Sequence, residues 1–136
     1  MKLTVIGCAG SMSGPDSSAS SYLVQADGPG PDGERTWSMI LDLGPGSMGQ
    51  MLHYLDPADC HADHMVDLVG MHVFRRWNPT GALGPVLTLG PSELRTRLNG
   101  GDGTAPEETY ASEFSFRTAV AGETVRVGPM TITPYT

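Results

Sequence analysis

The chain has 136 residues and a formal charge of -7 at neutral pH, the length of one domain with an acidic balance. Binding along a nucleic acid requires clustered lysine and arginine side chains that displace counterions, so this composition argues against a long RNA or DNA partner. The 39% apolar content supports one modest core, and we expect residues 1–136 to form a single domain. The 18 glycines and 11 prolines predict short strands joined by turns rather than a helical bundle.

The N-terminal segment MKLTVIGCAG predicts a buried first strand over residues 2–6. It is too short for the core and cleavage region of a signal peptide, and far too short to span a bilayer. Without an export signal, the two cysteines, Cys8 and Cys60, are more typical of reduced thiols than of a disulfide. We therefore expect a cytoplasmic protein with no membrane partner.

The N-terminal half contains patterns for three strands and a helix. Strands are predicted over residues 2–6, 20–25 and 37–43, with a turn-rich connection over 27–33. Three consecutive strands predict an antiparallel meander. Apolar residues at helical spacing over 46–55 predict a short helix, which Asp56 and Pro57 end.

The C-terminal half alternates between helices and strands. Helices are predicted over residues 65–77 and from Pro91 through Leu98, the second ending at residues 99–101, and strands over 86–89, 114–116, 124–127 and 130–133. The first of these helices ends on Arg75 and Arg76, whose charges suit the negative end of the helix dipole. The alternative is that these arginines bind a substrate phosphate.

The strongest local signal for chemistry is the tetrapeptide His61-Ala62-Asp63-His64, which we place at the start of the predicted helix 65–77. Two imidazoles and a carboxylate suit zinc or a similar ion, and their close spacing lets the side chains converge within one turn. The alternative is a polar helix start in which Asp63 acts as a cap and both histidines are solvated.

Four motifs occur in the order found in metallo-β-lactamase-fold hydrolases. They are Gly7-Cys8-Ala9-Gly10-Ser11, then Gly14-Pro15-Asp16-Ser17 followed by Ala19 to Val24, then Leu41-Asp42-Leu43-Gly44, and finally His61-Ala62-Asp63-His64. The chain most resembles the RNase Z-like branch, which includes bacterial cyclic-AMP phosphodiesterases. Later segments, Phe74-Arg75-Arg76-Trp77 and Leu89-Gly90-Pro91, also resemble that branch.

The resemblance implies an α/β (α+β) fold, an αββα sandwich of two sheets with helices outside, of which this chain represents about the first half. It implies two divalent metal ions, zinc in the first instance, with manganese or iron as alternatives. Carried over onto this chain, His61 is a ligand of one ion, and Asp63 and His64 are ligands of the other. Asp63 is also the catalytic residue that orients the attacking water. Asp42 matches the family's supporting aspartate, which hydrogen-bonds to the ligand turn; its alternative role is to start a turn at the end of a strand.

The sequence departs from the family signature H-x-H-x-D-H at one point. Asp59 stands where the first histidine belongs, and the apolar strand that carries that histidine is missing before His61. Roughly eight residues, a strand's length, are absent relative to the family. We interpret this as a loss of residues from the sequence, and the alternative is a naturally degenerate protein.

The function that the resemblance implies is hydrolysis of a phosphodiester, with a 3′,5′-cyclic nucleotide such as cyclic AMP as substrate and a metal-bridging hydroxide as nucleophile. A homodimer is the expected assembly. Two alternatives are a non-catalytic, truncated metallo-β-lactamase-like module and an RNase Z-like tRNA-processing endonuclease.

Three other features are weaker. The glycines at positions 7, 10 and 14 lack the Gly-Lys-Ser/Thr ending of a phosphate-binding loop. His53 and His72 lie on predicted helices, where surface or core positions are commoner than metal ligands.

Overall fold

A computed structural model describes residues 1–55, 60–62 and 67–135, with the backbone alone described at 60–62. The described residues form eight strands and three helices. In chain order these are β1 (Lys2–Gly7), β2 (Ser21–Gly30), β3 (Gly33–Leu41), α1 (Ser47–Met51), β4 (Cys60–Ala62), α2 (Leu68–Arg76), β5 (Val86–Gly90), α3 (Leu94–Asp102), β6 (Phe114–Thr118), β7 (Val125–Val127) and β8 (Met130–Ile132). The coarse prediction of a mixed α/β fold is confirmed.

Strands β1 to β6 lie side by side in chain order in one mixed sheet. The first two pairings are antiparallel, which confirms the predicted meander. The pairings from β3 through β6 are parallel, so these strands and β1 all end at the same edge of the sheet. We call this edge the carboxyl edge and the opposite one the amino edge. Strands β7 and β8 form a separate antiparallel hairpin.

The β2–β3 hairpin is longer than the sequence pattern predicted. Most of the glycine- and proline-rich segment 27–33 is strand, and the register closes with Gly30 opposite Gly33. Side-chain hydrogen bonds brace the extension, because Thr36 Oγ1 donates to Asp27 Oδ1 at 2.6 Å and Trp37 Nε1 donates to the carbonyl of Pro29 at 3.1 Å. Cross-strand contacts therefore outweigh the turn propensity of this segment.

The segment around His61 also differs from the prediction. Cys60–Ala62 is a strand, parallel to β3 with His61 opposite Met39, whereas the sequence had placed His61 at the start of a helix. This three-residue strand lies between β3 and β5 in the sheet, and within it one residue, Cys60, precedes His61. Helix α2 begins only at Leu68, and pairing with two parallel neighbours accounts for the strand conformation, which local spacing does not reveal.

Helix α3 runs further than predicted, through Gly100 and Gly101 to Asp102. Two of its leucines, Leu94 and Leu98, are buried, and the side chain of Asn99 donates to the carbonyl of Ala105 at 2.8 Å. Packing along one face thus stabilises two glycines that would weaken an isolated helix.

The core has two parts, one on each face of the sheet. On one face, residues of all three helices pack on the sheet in a single cluster: Ile6, Leu23, Ile40, Leu43, Met51, Leu68, Met71, Val86, Leu94, Leu98, Tyr110 and Phe114. On the other face, Val127 and Met130 of the β7–β8 hairpin pack with Met39. The hairpin leaves part of that face uncovered, since Leu3 and Val5 are exposed. Among the residues that the structure describes, no helix combines the length and apolarity needed to cross a membrane.

Candidate functional site

Two loops meet at the carboxyl edge of the sheet. The loop 8–20 follows β1, and the loop 42–46 follows β3. Backbone hydrogen bonds join them, because Ala19 N donates to the carbonyl of Pro45 at 3.1 Å and Gly44 N donates to the carbonyl of Ser20 at 3.3 Å. The two loops therefore form one continuous surface.

Gly44 makes this close approach sterically feasible. A Cβ atom at this position would lie 2.7 Å from the Cβ of Ala19 and 3.0 Å from the carbonyl oxygen of Ser20. These separations are too short for a side chain beside backbone atoms. The Leu41-Asp42-Leu43-Gly44 motif thus has a packing reason for its glycine.

The start of α2 is attached to the same surface. The backbone N–H of Asp67 donates to the carbonyl of Leu43 at 3.0 Å, and the Asp67 carboxylate accepts a hydrogen bond from the backbone N–H of Met48 at 2.9 Å. The chain that leaves β4 at Ala62 is consequently tied, five residues later, to the loop that follows β3.

Asp42 lies where the sequence predicted, directly after β3 at the carboxyl edge. It is half-buried and has a φ of 62°, in the left-handed region. Aspartate tolerates this conformation better than most residues, but an L residue keeps it only where its surroundings demand it. The conformation is compatible with a carboxylate held in position for a functional role. The predicted role, support of the metal ligands by hydrogen bonding, stays a prediction.

The predicted metal ligands are only partly visible. His61 is described by its backbone in β4, while Asp63 and His64 lie outside the described residues, as does Asp59. Among the side chains that are described, no three histidines, cysteines, aspartates or glutamates gather closely enough to hold a metal ion. The assignment of these ligands therefore remains a prediction from the sequence.

A partly buried ionic network lies at the opposite, amino edge, and the sequence did not predict it. Arg76, at the end of α2, donates through Nε and Nη2 to the two carboxylate oxygens of Glu113, each at 2.9 Å. It also donates to Glu108 at 3.2 and 3.3 Å. The Glu113 side chain is only 1% exposed, so this pair neutralises a charge inside the protein.

The pKa values within this network reflect the pairing. Hydrogen bonds to Glu113 and Glu108 raise the pKa of Arg76. Burial acts to raise the pKa of Glu113, but hydrogen bonds from Arg76 and Ser112 outweigh burial and leave that pKa lowered. A hydrogen bond from Arg76 lowers the pKa of Glu108. The charged forms of all three residues are thus favoured in the folded chain.

His72 and Tyr110 extend the network into the core. His72 is 3% exposed, and its Nδ1 lies 3.5 Å from Glu113 Oε2 without a hydrogen-bond geometry. Tyr110 is fully buried and donates to Asp102 Oδ2 at 2.9 Å, and burial raises its pKa. The two rings pack edge to face with centroids 4.9 Å apart. The network therefore joins α2 to α3 and to the segment before β6.

These contacts, together with the exposure of each side chain, decide between the alternatives left open for four residues. Arg76 is held by two carboxylates, and Arg75 Nε donates to the carbonyl of Gly84 at 3.2 Å, so the phosphate-binding role is not supported for either arginine. His72 is a core residue, whereas His53 is exposed on the turn after α1. The sequence did not predict the pairing of Arg76 with Glu113, because a single glutamate before a strand does not indicate which residue it will contact.

Comparison with known proteins gives relatives without a described activity. The chain is 36% identical over 148 aligned positions to an uncharacterized protein of Mycobacterium leprae, and 35% identical to uncharacterized proteins of Mycobacterium bovis and Mycobacterium tuberculosis. These matches cover 98% of this chain but 48% to 50% of the relatives, so the chain spans about half the length of the curated relatives it matches. No family model and no solved structure matches the chain.

The alignment also shows a difference in length. It extends over 148 positions, and this chain has 136 residues, so at least 12 positions hold a residue of the Mycobacterium leprae relative and none of this chain. The relative therefore carries internal residues that this chain lacks.

Proposed function

We propose that the chain is part of a metal-dependent phosphodiesterase that hydrolyses 3′,5′-cyclic nucleotides such as cyclic AMP. The observation that supports this most is the path of the chain at the carboxyl edge. Asp42 follows β3 there, and the segment with Asp63 and His64 joins the end of β4 to Asp67, which is tied back to Leu43. In sheets of this kind, ligands bind at the carboxyl ends of parallel strands.

The layer arrangement supports an αββα sandwich as the proposed fold. Helices cover one face of the six-stranded sheet, and the β7–β8 hairpin packs on the other face, where the second sheet of such a sandwich would lie. The exposed Leu3 and Val5 belong to the β1 strand at the margin of this sheet. A second β layer would cover an apolar face of this kind.

The donor set offered by His61, Asp63 and His64 fits one zinc, manganese or iron ion and leaves a coordination position open. The two ions that the resemblance implies need more ligands than these three. When bound, such an ion lowers the pKa of a bound water and neutralises charge on the phosphate. We assign to Asp63 the orientation of the attacking water, and to Asp42 the support of the ligand turn.

The acidic chain suits a small diester better than a long nucleic acid, so we retain a small-molecule phosphodiester as the substrate, with a cytoplasmic location and a homodimer as further parts of the proposal. A tRNA-processing endonuclease would need a basic surface for its RNA.

The experiment that tests the proposal measures cyclic AMP hydrolysis and bound metal for the wild-type chain, His61→Ala and His53→Ala. The expected result is activity that chelation abolishes, a loss of at least about a hundredfold in His61→Ala, and no change in His53→Ala. Activity that survives exhaustive chelation would reject the metal mechanism. Cleavage of precursor tRNA in place of cyclic AMP would move the proposal to the endonuclease.

A second candidate, a non-catalytic module, is favoured by one observation. Strand β4 has three residues, with Cys60 and His61 adjacent in it, and the Mycobacterium leprae relative carries at least 12 internal residues that this chain lacks. The same experiment separates the candidates. A chain that folds, binds no metal at micromolar concentration and hydrolyses neither substrate supports the module.

A further inference from the structure

A polar cavity of about 230 Å³ opens at the carboxyl edge, between the loop after β1 and the short helix α1 with the glycine before it. Its lining includes Ser13, Asp16, Ser17, Ser18, Gly46 and Gln50. Gly46 belongs to the loop 42–46 that also carries Asp42, so the cavity lies beside the candidate site. Its volume is below that of typical whole-ligand pockets, about 300 Å³ and more, and suits one end of a nucleotide.

The serine hydroxyl groups of this cavity are occupied in building it. Ser13 Oγ donates to the carbonyl of Pro45, and Ser18 Oγ donates to the carbonyl of Ile6 at 3.4 Å. Ser17 Oγ accepts a hydrogen bond from Cys8 N at 3.1 Å and donates to the carbonyl of Ser18 at the same distance. These bonds fix the wall before any ligand arrives, which lowers the entropy cost of binding.

Gly46 is also required by the shape of the wall. It has a φ of 80°, and a Cβ atom there would lie 2.8 Å from Ser13 Oγ. Any larger residue would be strained and would push Ser13 away from Pro45.

Two polar side chains of the lining have no hydrogen bond to other residues in the part of the chain that the structure describes. They are the carboxylate of Asp16 and the amide of Gln50, both exposed. A carboxylate accepts hydrogen bonds and repels phosphate, while an amide both donates and accepts. This pair fits an uncharged group that carries hydrogen-bond donors, such as a sugar hydroxyl or a base amino group.

We propose that this cavity binds the nucleoside end of the substrate, with Asp16 and Gln50 as the recognising residues and the phosphate left to the metal site. The inference rests on the proposed function, because that function supplies the nucleotide. It assigns Asp16 a contact with a donor on the ribose or on the base.

The test is a titration with adenosine, followed by nuclear magnetic resonance in the presence of a chelator. Adenosine carries no phosphate, so the measurement is independent of metal and of hydrolysis. The expected result is saturable shifts for wild type, and affinity about tenfold weaker in Asp16→Asn, because a hydrogen bond to a charged acceptor is lost. Asp32→Asn, a matched charge change in the β2–β3 turn, should bind as wild type.

Two analogues identify the donor. Weaker binding of 2′-deoxyadenosine assigns the contact to the ribose hydroxyl, and weaker binding of purine riboside assigns it to the amino group of the base. Equal binding of adenosine and both analogues would overturn the proposal, as would no saturable shift or an unchanged affinity in Asp16→Asn.

The failure of this proposal is distinguishable from a failure of the proposed function. Adenosine binding that depends on Asp16 in a chain without hydrolytic activity would retain the cavity and reject the phosphodiesterase. Hydrolysis of cyclic AMP with the same KM in wild type and Asp16→Asn would reject the cavity alone.

Discussion

The two edges of the sheet are built by different physical means. At the amino edge, charged hydrogen bonds join Arg76 to Glu113 and Glu108 in a partly buried network against which His72 packs. At the carboxyl edge, loops joined by backbone hydrogen bonds surround a polar cavity, and Asp42 has a left-handed backbone. The same helix, α2, begins at one edge and ends at the other.

The difference indicates that the amino edge contributes mainly to stability and that the carboxyl edge is suited to a functional site. A buried ion pair is costly to break, so the amino edge stabilises the docking of α2. Loops at the carboxyl ends of parallel strands tolerate change and position functional groups. Substitutions at the amino edge should therefore affect the free energy of unfolding, and those at the carboxyl edge should affect ligand binding and activity.

The largest expected effect belongs to Asp63→Asn. If Asp63 binds metal and orients water, hydrolysis of cyclic AMP should fall by about a thousandfold, with the unfolding midpoint close to that of wild type without metal. Steady-state kinetics and urea unfolding of the apo-protein measure the two quantities. Asp32→Asn is the control, and retained activity in Asp63→Asn would remove Asp63 from the mechanism.

The second effect is on stability at the opposite edge. Arg76→Met should lower the free energy of unfolding by about 3 kcal/mol, because it leaves the Glu113 carboxylate buried without its partner. Arg97→Met, a change of an exposed arginine on α3, should lie within about 0.5 kcal/mol of wild type. Unfolding of both variants at the same urea concentration would contradict a stabilising role for the Arg76–Glu113 pair.

The pH dependence of stability should report on the same network. The pKa values of Glu113 and Glu108 are lowered from 4.5 in the folded chain, so their stabilising contribution is present above about pH 4.5. It is lost as the pH falls through the folded pKa values. Glu113→Gln should therefore show a flatter decline of the unfolding free energy than wild type as the pH falls below about 4.5. A decline as steep as that of wild type would contradict this assignment.

The smallest expected effect on stability is that of substitutions at Asp42, at the carboxyl edge. Asp42→Gly should lower the free energy of unfolding by less than Arg76→Met does, because glycine adopts a φ of 62° without strain and this relief offsets part of the cost of losing the side chain. Metal affinity should nevertheless fall about tenfold if the carboxylate supports the ligand turn. Asp42→Asn, which also tolerates this backbone, tests the charge alone. Unchanged metal binding in both variants would leave Asp42 with a role in the turn only.

Much of the fold was predictable because its signals are local. The meander, the strand at β5 and the helix opening after Pro91 follow from alternation, turn residues and helical spacing. The errors occur where distant segments decide the conformation. His61 lies in a strand because β3 and β5 flank it, and α3 continues past Gly100 because its leucines are buried.

The candidate site divides in the same way. Asp42 was placed correctly at a strand end, since a strand followed by a polar turn is visible in the sequence. Glu113, Tyr110 and Asp102 were missed, because their partners on α2 lie more than twenty-five residues away along the chain. Pairing over such a separation depends on the folded chain and leaves no periodic signal.

The sequence by itself determined the mixed α/β class and the acidic net charge, and it predicted the ligand types of a metal centre and a preference against long nucleic acids. These properties follow from residue type and short-range spacing. Only the tertiary structure decided that the loops 8–20 and 42–46 meet at one edge, that a cavity opens between them, and that Arg76 serves stability at the other edge. The physical reason is that strand pairing and burial act between segments far apart in the chain, and they override local preference wherever the two conflict.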